Sequence, residues 1–375
     1  MSGVMDDDAD LKYWLAFNRI TGIGRVRFGL LEKHFGALEN AWLADASDLK
    51  AAGLDGRTIS AIVQARPDIS PDGEQEQLQR LDVRALTWHD PSYPRLLNEI
   101  ADPPPVLYVR GQLAASDDMA VAVVGTRRPT AYGRQCAEEL SAELARAGVT
   151  VISGLARGVD AIAHNTTLKS GGRTIAVMAS GANVIYPREH LHLSNEICAS
   201  GALVTEYPPG TQPRGDFFPR RNRIMSGLAR GVLIIEGDLQ SGAMITARLA
   251  MEQNREVLAV PGSIFSPQSR GPNSLLQDGA KLVRNVEDVL EELNLTMVPQ
   301  QVEARERISA TDTEVALLRY LTQEPLHVDQ VCRASGLPVA TVSSILAMLE
   351  LKGLARQTAP MSYVRAREAQ AAYGG

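Results

Sequence analysis

From about residue 119 to residue 294 the chain repeats one unit: a short apolar run, a loop, then a segment with helical spacing. The runs are AVAVV (120–124), VTVI (149–152), TIAVM (174–178), ALVT (202–205), VLII (232–235) and VLAV (257–260). Strands this apolar are buried on both faces, because a strand with one wet face would alternate with polar residues. The intervening segments, near 132–147, 158–170, 189–199, 221–229, 242–254 and 286–293, have the length and spacing of helices. Strand and helix in alternation specify a parallel sheet covered on both sides. In such sheets ligands bind beyond the carboxyl ends of the strands, so the loops after the strands are where function is expected.

The flanks read differently. Residues 10–66 carry apolar positions at helical spacing (Leu11, Leu15, Ile20; Phe28, Leu31, Phe35), and the polar stretch 67–76 breaks that pattern. A short helix near 75–81 and a proline-rich run then lead to Val106-Leu107-Tyr108-Val109. Residues 297–308 read as a linker, followed by helices at 313–321, 328–335 and 339–352 and a β-prone tail at 354–365. Gly336 and Pro338 stand where a helix-turn-helix would turn, the pattern of a small winged helix. Three domains are expected: 1–70, 85–294 and 310–367.

Charge constrains the partners. The net charge of −6 argues against bulk electrostatic attraction to a polyanion, so any anion site must come from local clustering. The three cysteines, Cys136, Cys198 and Cys332, form no CxxC pair; neither a zinc site nor a disulfide framework is expected, and a reducing, cytoplasmic compartment fits. The N-terminus is acidic and no apolar run approaches about 18 residues, so no signal peptide or membrane partner is expected.

Four loops hold the candidate chemistry. After 120–124 comes Gly125-Thr126-Arg127-Arg128-Pro129, offering close backbone approach, a hydroxyl and a guanidinium fork beside a helix start. It lacks the spacing of a dinucleotide fingerprint or a P-loop, so no nucleotide cofactor is expected; an ordinary turn with surface arginines is the plain alternative. In Ser153 to Asp160, Asp160 and His164 lie one turn apart, as an acid/base pair or as a helix cap beside a satisfied histidine, the second being preferred. Residues 213–223 place Arg214, Arg220, Arg221 and Arg223 around Phe217 and Phe218, with one acid, Asp216. Arginines interleaved with aromatics suit a single nucleic-acid strand, whose backbone wants charge and whose unstacked bases want a π-face. The alternative buries one phenylalanine in the core and leaves the arginines solvated; one core phenylalanine is expected in either case. After 232–235, Ser241 and Gly242 open a helix as an anion site would require. Glu236 and Asp238 precede them, and at least one is expected to pair with a neighbouring arginine.

Taken in order, VAVVGTRRPTAYG, VISGLARGVDAIAH, FFPRRNRIMSGLA, LIIEGDLQSGAMITARLA and AVPGSIFSPQSRGPNSLLQDGA resemble the DNA processing protein A (DprA, or Smf) family, as do the upstream WHDPSYPRLL and DPPPVLYVRG. The resemblance implies a Rossmann-like α/β core with a parallel sheet, an N-terminal all-α helix-hairpin-helix or SAM-like domain and a C-terminal winged helix. It implies a non-enzymatic homodimer, formed through the Rossmann domain, that binds single-stranded DNA and delivers it to the recombinase RecA in natural transformation. Family DNA contacts fall on Gly125, Thr126 and Arg127, with Arg128 beside them, and on Arg214, Phe217, Arg221, Asn222 and Arg223; the Ser241-Gly242 turn is carried over with them. The phosphates are expected over Arg127, Arg221 and Arg223. The stretch Met178 to Asn183, before Tyr186-Pro187, departs from the family's glycine-rich form.

The flanking domains are less telling. Thr21-Gly22-Ile23-Gly24 resembles the turn of a helix-hairpin-helix, with Arg25 and Arg27 following, and 49–65 could be a second, degenerate copy; DNA binding and a purely structural role both remain open. The third helix of the winged helix, 339–351, contains no lysine or arginine, which favours a protein-interaction module over a duplex reader. Two rival functions stand beside strand binding. One is a phosphoribohydrolase-like enzyme, although its P-G-G-x-G-T-x-x-E signature is missing; the other is a winged-helix transcription regulator.

Overall fold

A computed structural model describes residues 7–295, 312–322, 326–351, 355–359 and 361–365. The chain forms two compact units, 1–298 and 299–375.

The first unit is built on a nine-stranded sheet: β1 (Arg84–Thr87), β2 (Val106–Gly111), β3 (Ala120–Val124), β4 (Thr150–Ser153), β5 (Thr174–Val177), β6 (Ala202–Thr205), β7 (Gly231–Ile234), β8 (Glu256–Ala259) and β9 (Lys281–Leu282). Their spatial order is β1-β2-β6-β5-β4-β3-β7-β8-β9. All six apolar runs become parallel strands, from β6 to β8, and β3 to β7 are buried at every position. The antiparallel hairpin β1–β2, docked through Tyr108 opposite Thr205, extends the sheet beyond β6.

The N-terminal helices do not stand alone. Trp14, Phe17, Phe28 and Trp42 form one core with Val106 and Tyr108 of β2, so the edge of the sheet is also the floor of the helical region. Trp14 stacks on Phe28 at 5.2 Å and meets Trp88 edge-on at 5.6 Å.

The helix Phe217–Leu228 begins four residues before the expected start near 221, with Pro219 inside its first turn. Proline is tolerated there because the first amides of a helix have no intrahelical partner. That early start sets which way each arginine points.

In the second unit, Val328–Ser335 and Val339–Leu351 meet at a bend of 112° with Gly336 left-handed at the turn, and β10 (Leu326–His327), β11 (Ala355–Ala359) and β12 (Ser362–Arg365) form a small sheet in the order β10-β12-β11. This is a winged helix. Among the described residues no single helix is long and apolar enough to cross a membrane.

Candidate nucleic-acid interface

The loops after β3, β4 and β7 and the helix Phe217–Leu228 enclose a cleft of about 300 Å³ at the carboxyl edge of the sheet. Gly125, Thr126, Arg127, Phe218, Arg221, Asn222, Ser241 and Gly242 line it. The loops are stitched by their backbones: Thr126 N–H donates to Glu236 O at 2.7 Å, and Val159 N–H to Thr126 O at 3.2 Å. Gly158 makes this approach possible, with φ at 80° and no room for a Cβ against Thr126 O.

Helical period selects the lining residues. Phe218, Arg221, Asn222 and Met225 stand at i, i+3, i+4 and i+7 of the helix, one face turned to the cleft. Arg221 is 4% exposed and donates to the carbonyl of Val177 at 2.8 Å, while its Nε has no protein partner. Burial lowers its pKa to about 10, opposed by nearby Asp160, so it remains cationic at neutral pH. A buried guanidinium on a cleft floor is costly unless something anionic completes it. Ser241 caps the helix Gly242–Glu252, yet its hydroxyl makes no cap bond and is buried without a partner. That hydroxyl and the amide end of the helix lie in the same cleft as Arg221. At the rim, Arg127 is exposed, has no carboxylate partner among the described residues, and lies over the Phe218 ring at 5.4 Å. Arg128 is exposed on the same loop but does not line the cleft, its amide donating to Thr126 Oγ1 at 3.2 Å.

Several expectations need correction. Arg223 does not face the cleft. It lies two residues, or about 200°, around the helix from Arg221, and bridges Glu206 at 2.7 Å and Asp102 at 3.2 Å. Burial raises the Glu206 carboxyl, and Arg223 opposes that rise. Arg214 lies outside the cleft, paired with Asp216 at 3.1 Å and resting over Phe217 at 5.0 Å. Neither phenylalanine is core: both are half-buried, Phe217 stacked on Tyr207 at 4.2 Å and Phe218 tilted against Tyr186 at 5.8 Å. Glu236 has no arginine partner among the described residues. Its carboxylate accepts from the Thr130 hydroxyl at 2.6 Å and the Thr130 amide at 2.9 Å, which ties down the start of the helix Ala131–Arg146. The Asp238 carboxylate, likewise without an arginine partner among the described residues, accepts from the Leu239 amide at 2.8 Å.

Asp160 and His164 are structural. Asp160 accepts from the amides of Gly154 and Ala156 at 3.2 and 3.3 Å, closing the loop rather than capping the helix, whose N-cap is Gly158. His164 is fully buried on Thr174 Oγ1 at 2.7 Å, and burial lowers its pKa to about 3. No group of three or more His, Cys, Asp or Glu side chains among the described residues could hold a metal ion. In the departing loop, Asn183 Oδ1 accepts from the Gly210 amide at 2.7 Å, and Gly181 N–H donates to Thr211 O at 2.9 Å, so the loop is tied to residues 208–211.

At the turns expected to form helix-hairpin-helix motifs, Arg27 is spent on Asp55 at 2.9 Å. Asp55 also caps Thr58, and its carboxyl is held far below the usual range chiefly by Arg27. The second turn therefore already holds an anion of its own. A larger cavity of about 390 Å³ opens at the opposite edge of the sheet, but its floor (Leu86, Val109, Ile152, Ile175, Leu228) is apolar, and of its two lining arginines, Arg84 and Arg95, the second is paired with Glu99 and Asp118.

A mostly parallel α/β sheet with a cationic, aromatic-rimmed cleft at its carboxyl edge defines a Rossmann-like protein. Residues 84–294 match the family model described as DNA recombination-mediator protein A, and residues 301–359 match the DprA winged helix domain. Protein Smf of Synechocystis is 34% identical over 96% of this chain and 99% of its own length, and Protein Smf of Escherichia coli 42% identical over 88% and 90%. The crystal structure of DNA processing protein A from Streptococcus pneumoniae superposes with a TM-score of 0.65 at 33% identity, covering 75% of this chain and 96% of that one. The Helicobacter pylori protein, whose structure describes its single-stranded DNA binding mode, gives 0.51 at 33% identity, over 56% and 95%. The chain belongs to the DNA recombination-mediator protein A (DprA/Smf) family of DNA processing proteins.

Proposed function

We propose that the cleft binds single-stranded DNA without cleaving it. In this reading the chain is a cytoplasmic recombination mediator, a homodimer formed through its Rossmann-like domain, that delivers the strand to RecA during natural transformation. The observation that carries the reading is the convergence of Arg127, Arg221 and the unpartnered Ser241 hydroxyl on one open cleft beside Phe218. A backbone phosphate would complete the charge at Arg221 and the amide end of the helix Gly242–Glu252, while Phe218 and Tyr186 offer faces to a base. The Helicobacter pylori relative supports the choice of ligand. The commitments of the titratable groups support binding over catalysis. Asp160 and Glu236 are committed to holding loops, and His164 is buried on Thr174.

Arg127→Ala tests this, because that side chain is exposed and its loss does not disturb the core. Fluorescence anisotropy against a labelled single strand should show weaker binding. The slope of log affinity against log salt should also flatten by about 0.7, the value for one lost phosphate contact on a single strand. An unchanged slope would remove Arg127, and with it the cleft, from the path of the strand.

A further inference from the structure

The loop between β8 and the helix Arg270–Gln277 carries the two most exposed large apolar side chains among the described residues, Ile264 at 80% and Phe265 at 89%. Two adjacent side chains left this exposed form a local apolar patch of the kind that marks a binding surface, in a chain with only six phenylalanines. The loop is not loose. Gly237 N–H donates to Gln268 O at 2.7 Å, Gly271 N–H to Gly237 O at 2.9 Å, and Tyr132 Oη to Pro261 O at 2.7 Å. Asn273 exchanges hydrogen bonds with both backbone groups of Gly262, at 3.1 and 3.0 Å. Ser263 accepts the Phe265 amide at 3.3 Å and closes a turn with Ser266 at 3.0 Å, leaving the ring on its crest. The loop is thus fastened to the 236–242 segment that forms one wall of the cleft.

We propose that Phe265 is a base-stacking residue that extends the track of the single strand past the cleft, along the carboxyl edge of the sheet to β8. The proposal rests on the cleft being the strand site. Along this edge an arginine already lies over each of Phe217 and Phe218. Phe265 repeats the composition: Arg270, five residues on, is exposed and without a carboxylate partner among the described residues. From β5, whose carbonyl holds Arg221, to β8 the track crosses four strand intervals, about 19 Å. A flexible polynucleotide can cover that span. An exposed phenylalanine on a braced turn suits this role, because stacking needs a flat π-face presented at little entropic cost and no particular base.

The test uses the full chain, a labelled oligothymidylate of about 20 nucleotides, and a duplex of equal length as control. Phe265→Ala and Phe265→Leu should each weaken single-strand binding by about fivefold or more, while Phe265→Trp retains it and duplex binding is unmoved. Arg127→Ala, run beside them, separates the two readings. If Arg127→Ala binds weakly but Phe265→Ala binds as the wild type does, the extended track is wrong and the cleft stands. If neither variant weakens binding, the cleft reading has failed and takes this inference with it. Equal binding by the leucine and wild-type proteins, or a shift from dimer towards monomer in light scattering of Phe265→Ala, also overturns the proposal; the latter would assign the ring to a second copy of the chain.

Discussion

His164 illustrates how far a single residue can be read. Its spacing from Asp160 invited a catalytic pair, and burial decides otherwise: the ring is held on Thr174 and its pKa falls to about 3 from an ordinary 6.5. A histidine that cannot accept a proton when folded, but can when unfolded, adds stability that is complete above the unfolded value. That stability is lost as pH drops from about 6.5 towards 3. At pH 5 the loss amounts to about 2 kcal/mol, from 1.5 pKa units at about 1.4 kcal/mol each. His164→Asn should therefore be less stable at pH 7.5, yet its urea midpoint should decline less than the wild type's between pH 7.5 and pH 5. Parallel declines would mean that His164 does not carry the acid sensitivity. Arg223 is the opposite case. Nothing in R-N-R distinguishes its first arginine from its last; only the carboxylates of Glu206 and Asp102 show that one lines the cleft and the other braces the fold.

At the scale of elements, the helix Phe217–Leu228 decides the site. Its face was in principle legible: Phe218, Arg221, Asn222 and Met225 follow the helical period once the helix is known to begin at Phe217. Beginning the helix near 221 hides that face and leaves the cluster as a run of arginines around two phenylalanines. The apolar strands needed no such knowledge, because burial on both faces is written into each run. Strand β1 and the two-residue β9 were not legible, since their partly exposed residues are specified by tertiary pairing. The placement of Arg221 depends on a glycine in another loop. A Cβ at Gly154 would run into the Arg221 guanidinium, whereas one at Gly215 meets nothing. Gly154→Ala should accordingly displace the guanidinium, weaken single-strand binding roughly tenfold, the value of one charged hydrogen bond, and cost about 1–3 kcal/mol of stability. Gly215→Ala should change neither. Anisotropy and urea unfolding on the same samples decide it, and equal binding by both variants would show that the cleft tolerates movement of its floor.

The molecule as a whole raises the question of where cooperativity ends. Sequence reading separates residues 1–70 from 85–294 on composition. The structure places Trp14 and Phe28 in one core with Val106 and Tyr108, which belong to the sheet. A shared core couples the unfolding of its two sides, because neither can open without exposing the other's apolar surface. All three tryptophans, Trp14, Trp42 and Trp88, lie in or against this core, so their emission reports on it selectively. Truncating a buried aromatic costs about 3–5 kcal/mol. Trp14→Ala should thus lower the urea midpoint of the remaining tryptophan emission. If the coupling holds, it should reduce hydrogen-exchange protection of the β3 amides, Ala120 to Val124, by a comparable free energy, although β3 lies four strands away from β2. Protection at β3 unchanged while the emission midpoint falls would mean that the helical region opens by itself. The sheet that positions Arg127 and Arg221 would then be stable without it.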